Sequence, residues 1–380
     1  NLHDNLKPYE IHGENSSFVN SISMYRDFFF VVYLFSIYDL GKCTLSWPGD
    51  SSVTVADTEN DFGENMSGLY YNQGTSSSSS DDFLYAVQNS PSTIYKLQWN
   101  GNYFQKYSGS GWSAGKTIYY PDGTGSPDSE DLTFDDAGYV YVSSERNNAK
   151  STKSRLSILR YNIGGTSTKL TATTEWDLTS DLPNVDPNLG LEAITWIPDS
   201  FLTSHNFFDA HLKKVYDPSD YPQHGNGLFF VGLEGNGYIY GYVLLSSGSY
   251  YRLSSVSSGE TAIMSLEFDV STGYLWASCD SHCSGRSALL ALKASSSSSF
   301  TVMASYNRPS SMGNLNTEGF AIAGPASLMC SSGLKDKEEA FGNFNSSSSS
   351  SGMKAVFWAD DDCTAGHAIR RGLLQCGDLV

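Results

Sequence analysis

Three glutamates stand at the head of short strand-like runs: Glu130 in EDLTFD, Glu192 in EAITW and Glu318 in EGFAI. Two related runs, SGLYY from Ser67 and MSLEFD from Met264, complete a series with intervals of 63, 62, 72 and 54 residues. If equivalent positions converge on one axis, the three glutamates meet in a confined space, where they repel unless they are protonated or neutralised. A hard cation with oxygen ligands answers that repulsion, and calcium, which tolerates irregular sets of carboxylates and carbonyls, is the expected ion. No organic cofactor is indicated. The alternative is that these acids cap strand ends through backbone N–H groups or pair with Arg146, Arg370 and Arg371.

The elements that must position these acids are β-strands. Each copy is followed by a second aromatic-rich run: FLYAVQN, YVYVSSE, LFFVGLE, YLWASCD and AVFWADD. These end on Asn89, Glu145, Glu234, Asp280 and Asp361, so the last four acids form a second candidate metal set. A large repeat of short β runs divided by Gly, Ser, Asp and Asn is the sequence pattern of propeller blades. The expected fold is therefore all-β, a β-propeller of five blades by repeat count, with six as the alternative if the 72-residue interval hides one more. The run SVTVAD (52–57) precedes the first blade and is expected to close the ring against the last. Within the long interval, residues 199–227 read as a loop, with a lid over one face as one role.

Composition agrees with this class. The chain has 380 residues, 35 glycines and 13% aromatic residues, and shows no long helical periodicity. A formal charge of −18 excludes nucleic acid as a natural partner, since no basic stripe exists to neutralise phosphates. Six cysteines (Cys43, Cys279, Cys283, Cys330, Cys363 and Cys376) and three Asn-x-Ser sequons at Asn15, Asn65 and Asn345 point to an oxidising, glycosylating secretory route. The expected location is extracellular, and N-glycans are expected at those asparagines. Cys279 and Cys283 read as a local disulfide rather than half of a zinc site, because no second Cys/His pair stands at a matching spacing. The chain begins with Asn and has no basic segment followed by an apolar one, so it reads as a processed, mature form. The longest apolar run, FFFVVYLFSIY (28–38), is short of the roughly 20 residues that span a bilayer, so no membrane span is expected.

Catalytic groups are harder to read. His205, His224 and His367 are candidate general acids or bases, and Arg146, Arg370 and Arg371 are candidate phosphate holders through bidentate contacts. A histidine in a glycine-rich loop is more often a hydrogen-bonding surface residue. No Gly-x-Ser-x-Gly elbow, P-loop or His-Glu-x-x-His helix is present. Any hydrolysis is expected to be metal-assisted.

The segments WPGDSSVTV, NMSGLYY, YPDGTGSPDSEDLTF, SSERNN, EWDLTSDLPNVDPNLGLEAITWIPDSFL, NTEGFAIA and VFWADDDCTAGHAIRRGLL together resemble the family described as esterase-like activity of phytase. The resemblance runs from about Trp47 to Cys376. It implies a propeller (residues 47–380), calcium dependence and phosphate-ester hydrolysis. The family-like pattern also places Cys330 and Cys376 in the last blade, which implies their pairing and leaves Cys43 with Cys363.

Residues 1–46 lie outside the resemblance. The run Phe28, Phe29, Phe30, Val31, Val32, Tyr33, Leu34 and Phe35 is rich in strand-forming residues. It is expected to pack on its own propeller, to add a strand to a neighbouring subunit, or to be the remnant of a signal peptide; head-to-tail repetition of the second builds a homo-oligomer or filament. Two function classes follow: a self-assembling extracellular structural subunit, which the uncovered arm favours, and a calcium-dependent phosphoesterase, which the family resemblance favours.

Overall fold

A computed structural model describes residues 44–74, 82–293, 295–323, 352–375 and 379. A high content of Val, Ile, Tyr, Phe and Trp builds strands here, several of them buried on both faces, and the strands assemble into five principal sheets, antiparallel except where Lys169–Thr171 joins Lys116–Tyr119 in parallel. Blade 1 starts with Met66–Asn72, blade 2 with Pro127–Phe134, blade 3 with Leu191–Pro198, blade 4 with Ser265–Asp269 and blade 5 with Thr317–Ile322. These five innermost strands pack on one another in ring order, the fifth against the first.

The fold is a five-bladed β-propeller. Thr54–Val55 forms the outermost strand of blade 5, in antiparallel register Thr54↔Arg371 and Val55↔Arg370 against Ile369–Gln375. The ring thus closes by pairing an early strand with a late one, as the SVTVAD run suggested. The six-bladed alternative is excluded: residues 199–227 hold a helix, Asp199–Ser204, and a two-residue hairpin, Phe208–Asp209 with Lys214–Val215. Among the described residues no helix is long and apolar enough to cross a membrane.

The apolar core is divided among the five seams between blades. One cluster joins blades 3 and 4 through Phe230, Ile239, Leu275 and Leu290, and takes in Leu202 and Phe207 of the insertion. Another joins blades 4 and 5 through Trp276, Phe320 and Trp358, with Trp47 wedged among them. The Trp47 ring centroid is 5.4 Å from Trp358 and 5.9 Å from Trp276, and its Nε1 donates to the Leu373 carbonyl at 2.8 Å. Burying an indole with its N–H satisfied yields the full apolar gain without leaving an orphan donor.

An innermost propeller strand has one edge with no strand beside it, so its N–H groups need other acceptors. Side chains of neighbouring blades supply them. Asp131 Oδ2 accepts from Ile194 N at 3.2 Å and from Ser265 Oγ at 3.2 Å, linking blade 2 to blades 3 and 4 across the axis. Thr133, Thr195 and Glu267 each accept from the next inner strand, at Trp196 N, Phe268 N and Ile322 N. The channel is filled by this polar belt, which leaves a separate mouth at each end.

Candidate metal centre at the acidic mouth

The second strand of each blade runs antiparallel to the first, so its end returns to the mouth where the first began. Residues that start inner strands and residues that finish second strands are therefore brought together. Both acid sets meet here: Glu130, Glu192 and Glu318 from the first, and Glu145, Glu234, Asp280 and Asp361 from the second.

The ladder pairing explains how the inner glutamates reach the axis. Four inner strands carry a register shift at their start, between Met66 and Leu69, Pro127 and Leu132, Leu191 and Ala193, and Thr317 and Phe320. A bulge breaks strict alternation and re-aims the side chain it holds. Ser67, Glu130, Glu192 and Glu318 fall inside these four irregularities. Blade 4 pairs regularly from Ser265 to Asp269 and contributes no acid at the equivalent place.

The contacts are short and almost wholly oxygen. Ser67 Oγ lies 3.0 Å from Glu130 Oε2 and 2.9 Å from Glu318 Oε2. Asp128, Glu130 and Glu145 each offer a carboxylate oxygen within 4.8 Å of the others. Arg146 Nε is 2.6 Å from Asp128 Oδ2, with its Nη1 at 3.9 Å from Glu145 Oε1. Asn316 Nδ2 spans Glu318 Oε1 and Asp361 Oδ2, both at 3.3 Å, while Asp361 Oδ1 is buried without a hydrogen-bond partner.

Burial and mutual repulsion push these acids toward the neutral form. Glu130 is raised well above the usual carboxylate range by burial first, then by Glu145, Asp128 and Glu318. Burial likewise raises Glu192, with Glu130, Glu145 and Glu318 adding to it, and Glu318, with Asp361 and Asp280 adding. Glu145 is pushed up to about 7 by burial, against the opposing pull of Arg146. Glu234 reaches about 7 through burial and Asp280, and Asp361 about 6 through burial and Asp362.

A cation with oxygen ligands fits this donor set. Ser67 has one proton for two carboxylates, Asp361 Oδ1 has no donor, and the single guanidinium of Arg146 faces many more carboxylates than it can neutralise. The cluster could hold a metal ion without rearranging blades. The other group with suitable ligands, Cys279, Asp280 and Cys283, is not a thiolate site, because Cys279 and Cys283 form a disulfide.

Asp128, Ser67 and Asn316 were not among the residues singled out from sequence. Asp128 had a legible signal, since it stands two residues before Glu130 in SPDSED. Asn316 likewise stands two residues before Glu318, and Ser67 heads the repeat copy in which serine replaces the glutamate; what the sequence did not show are the contacts 251 and 45 residues away that give them their roles.

The catalytic candidates are dispersed. Arg146 stands at the acidic mouth, in contact with Asp128 and Glu145. His205 closes the insertion helix, with Nδ1 2.9 Å from the Phe201 carbonyl. His224 is buried against Asp199 Oδ2 at 3.0 Å and Tyr216. His367 contacts Asp57 at 3.2 Å, and Arg370 pairs with Asp360 at 2.9 Å; both belong to the closing region of blade 5. Arg371 lies over the Trp99 ring, 5.3 Å from its centroid.

Asn65 adjoins the mouth: its N–H donates to the Asp361 carbonyl at 2.8 Å and its side chain to Ser90 O at 3.3 Å. Among the described residues Cys363 has no disulfide partner, and its thiol is directed at the Phe62 carbonyl. Its expected partner Cys43, the pair Cys330 and Cys376, the sequons at Asn15 and Asn345, and the run Phe28 to Phe35 lie outside the described residues.

Fold and site together define the class: an all-β, five-bladed propeller with an acidic, oxygen-lined mouth. Residues 62–206 match the family model Phytase-like, described as esterase-like activity of phytase. The matched segment spans blades 1 and 2 and the inner strand of blade 3, and contains Ser67, Asp128, Glu130, Glu145, Arg146 and Glu192. The resemblance read from sequence is borne out over this segment. No curated protein matches the chain. Among solved structures, similarity is found to a chain of a mitotic checkpoint complex, at 9% identity and a TM-score of 0.36, over 99% of this chain and 100% of that one. A nidogen/laminin complex is similar at 11% and 0.34, over 78% and 73%. A functionally unknown protein from Desulfotomaculum acetoxidans DSM 771 is similar at 8% and 0.34, over 81% and 69%. Likenesses this distant carry no argument about activity.

Proposed function

We propose that this protein is a secreted, calcium-dependent phosphate-ester hydrolase whose cation and substrate meet at the acidic mouth. The observation that carries the proposal is the convergence of carboxylates from several blades on one oxygen-lined space, with a guanidinium beside them. Bound calcium would supply the positive charge that draws a phosphate to so acidic a surface and stabilises charge developing on it. Glu130, Glu192 and Glu318 would hold the ion from the inner strands, with Ser67 and Asn316 fixing their orientation. Glu145 and Glu234, held near neutrality, are suited to take or give a proton at physiological pH. Arg146, anchored to Asp128 and to the Pro187 carbonyl at 2.9 Å, can turn its remaining N–H groups toward a phosphate oxygen. The family match over residues 62–206 supports the same chemistry.

The test is hydrolysis of p-nitrophenyl phosphate and of an inositol phosphate by the full chain, in calcium and in EGTA. Calcium-dependent turnover lost in Glu192→Gln is the expected result. Calcium binding by calorimetry with no turnover of either substrate would reduce the site to a structural or ligand-binding cation centre. Assembly into filaments through Phe28 to Phe35 concerns residues outside those described, and no described feature favours it over hydrolysis.

A further inference from the structure

The channel opens at a second mouth, where the inner strands end. There a cavity of about 330 Å³ is lined from all five blades, by Tyr70 of blade 1, Phe134 of blade 2, Trp196 of blade 3, Glu267 and Phe268 of blade 4, and Ile322 of blade 5 among others. That volume lies at the lower end of the range for small-ligand sites, roughly 300–1,000 Å³. Four of the six residues just named are aromatic. Tyr70 and Phe134 stack with centroids 4.8 Å apart, and Phe268 is braced by Phe201 of the insertion helix, also at 4.8 Å. The insertion reaches the opposite rim as well, where Asn226 Nδ2 donates to Asp136 Oδ2 at 2.8 Å.

The charge of the lining is one-sided. Asp135, Asp136, Glu267 and Asp269 contribute to it, and no lysine, arginine or histidine is among its described residues. Three of these acids are already committed. Asp135 accepts from Tyr139 N and the Tyr141 hydroxyl, Asp136 from Asn226, and Asp269 from Ser271, Thr272 and the buried Lys354 ammonium. Glu267 is held more lightly: it is 8% exposed, its Oε1 accepts the Ile322 N–H at 3.3 Å, and the Lys354 ammonium acts on it through space. A carboxylate largely removed from water in a cavity walled by rings is costly to ionise unless a cation accompanies it.

We propose that this second mouth is a binding site for a small organic cation of the alkylammonium type, with Glu267 as counter-ion and Tyr70, Phe134, Trp196 and Phe268 as the aromatic wall. Cation–π attraction and a single desolvated carboxylate are the two interactions by which proteins recognise quaternary ammonium groups. A metal ion is disfavoured at this place, because no three of its acids bring carboxylate oxygens within 4.8 Å of one another, as Asp128, Glu130 and Glu145 do at the other mouth. An anion is disfavoured by the lining charge. Val270, 68% exposed at the rim, adds apolar surface for the ligand's alkyl groups. This site is independent of the hydrolase reading: Glu130 and Phe134 are four residues apart on one strand, on the order of 13 Å.

The test is calorimetric titration of choline, and of its neutral isostere 3,3-dimethylbutan-1-ol, into the full chain in saturating calcium, so that the acidic mouth does not compete. Choline is expected to bind with a Kd below about 1 mM, and the isostere at least tenfold more weakly. Glu267→Gln keeps an acceptor for Ile322 N but removes the charge, and is expected to weaken choline at least tenfold. Trp196→Leu, read by the loss of choline-dependent tryptophan quenching, covers the case in which the first variant folds poorly. Glu192→Gln, at the other mouth, is expected to leave choline affinity unchanged. Equal affinity for the isostere, wild-type affinity in folded Glu267→Gln, binding of glucose in preference to choline, or no choline binding at 10 mM would each overturn the proposal.

Discussion

Ser67 Oγ stands 2.9 Å from Glu318 Oε2, and the same oxygen is 3.0 Å from Glu130 Oε2. One hydroxyl proton cannot serve two ionised acceptors equally, so blades 1, 2 and 5 are joined at a point that is short of protons or positive charge. Ser67→Ala leaves both buried carboxylates without this donor, at a cost of about 1–3 kcal/mol. Urea denaturation in EGTA is expected to show that loss, and saturating calcium to shrink it. Equal losses in the two conditions would separate Ser67 from the cation site.

Glu145 and Glu234 are pushed up to about 7 in the folded chain, mainly by burial. A carboxyl whose folded pKa lies above its unfolded value stabilises the fold fully below the unfolded value, near 4.5, and that contribution is lost as pH rises through about 7. The cation-free protein is therefore expected to melt at lower temperature at pH 8 than at pH 5. Calcium, which favours the ionised forms, is expected to raise the melting temperature more at pH 8 than at pH 5. Calorimetry at both pH values, with EGTA and with calcium, measures this, and a calcium shift independent of pH counts against a carboxylate site.

Arg146→Gln removes the guanidinium that lies 2.6 Å from Asp128. Asp128 is buried, and an uncompensated buried charge costs about 3 kcal/mol. Urea denaturation at pH 7 is expected to show most of this, and the loss is expected to shrink as pH falls, because burial already favours the neutral form of Asp128. A pH-independent loss would assign the effect to packing of the arginine stem.

Asp280 lies inside the four-residue separation bridged by Cys279 and Cys283, and its charge raises both Glu234 and Glu318. The double variant Cys279→Ser, Cys283→Ser frees that loop and is expected to weaken calcium binding several-fold while the propeller still melts cooperatively. Unchanged calcium affinity would remove Asp280 from the site.

Trp47→Ala empties the wedge between blades 4 and 5, at a cost of about 3–5 kcal/mol for a large core aromatic. Because Trp47 sits against Trp276, Phe320 and Trp358, intrinsic fluorescence is expected to change with the loss of stability. A stability change below about 1 kcal/mol would show that the seam closes over the gap.

Much of this protein is legible without coordinates. Strand periodicity, the spacing of Ser67, Glu130, Glu192 and Glu318, and the absence of any long helical periodicity point to an all-β ring of five blades, with six left open, because alternation and turn residues are local properties of the chain. The closing role of Thr54–Val55 is legible for the same reason: a strand left over before the first blade pairs with a blade that lacks one. The acid at the end of four of the five second runs also follows from sequence, since an antiparallel hairpin returns to its starting edge. What the tertiary structure alone decided are relations between blades. Whether Glu130 faces the axis depends on a register shift between Pro127 and Leu132, and a one-residue change in register reverses a strand's faces while leaving its composition untouched. The pairing of His367 with Asp57, and the meeting of Tyr70, Phe134, Trp196 and Phe268 at the other end, likewise follow from ring closure, which sums contacts between residues far apart in the chain and leaves no trace in any single segment of it.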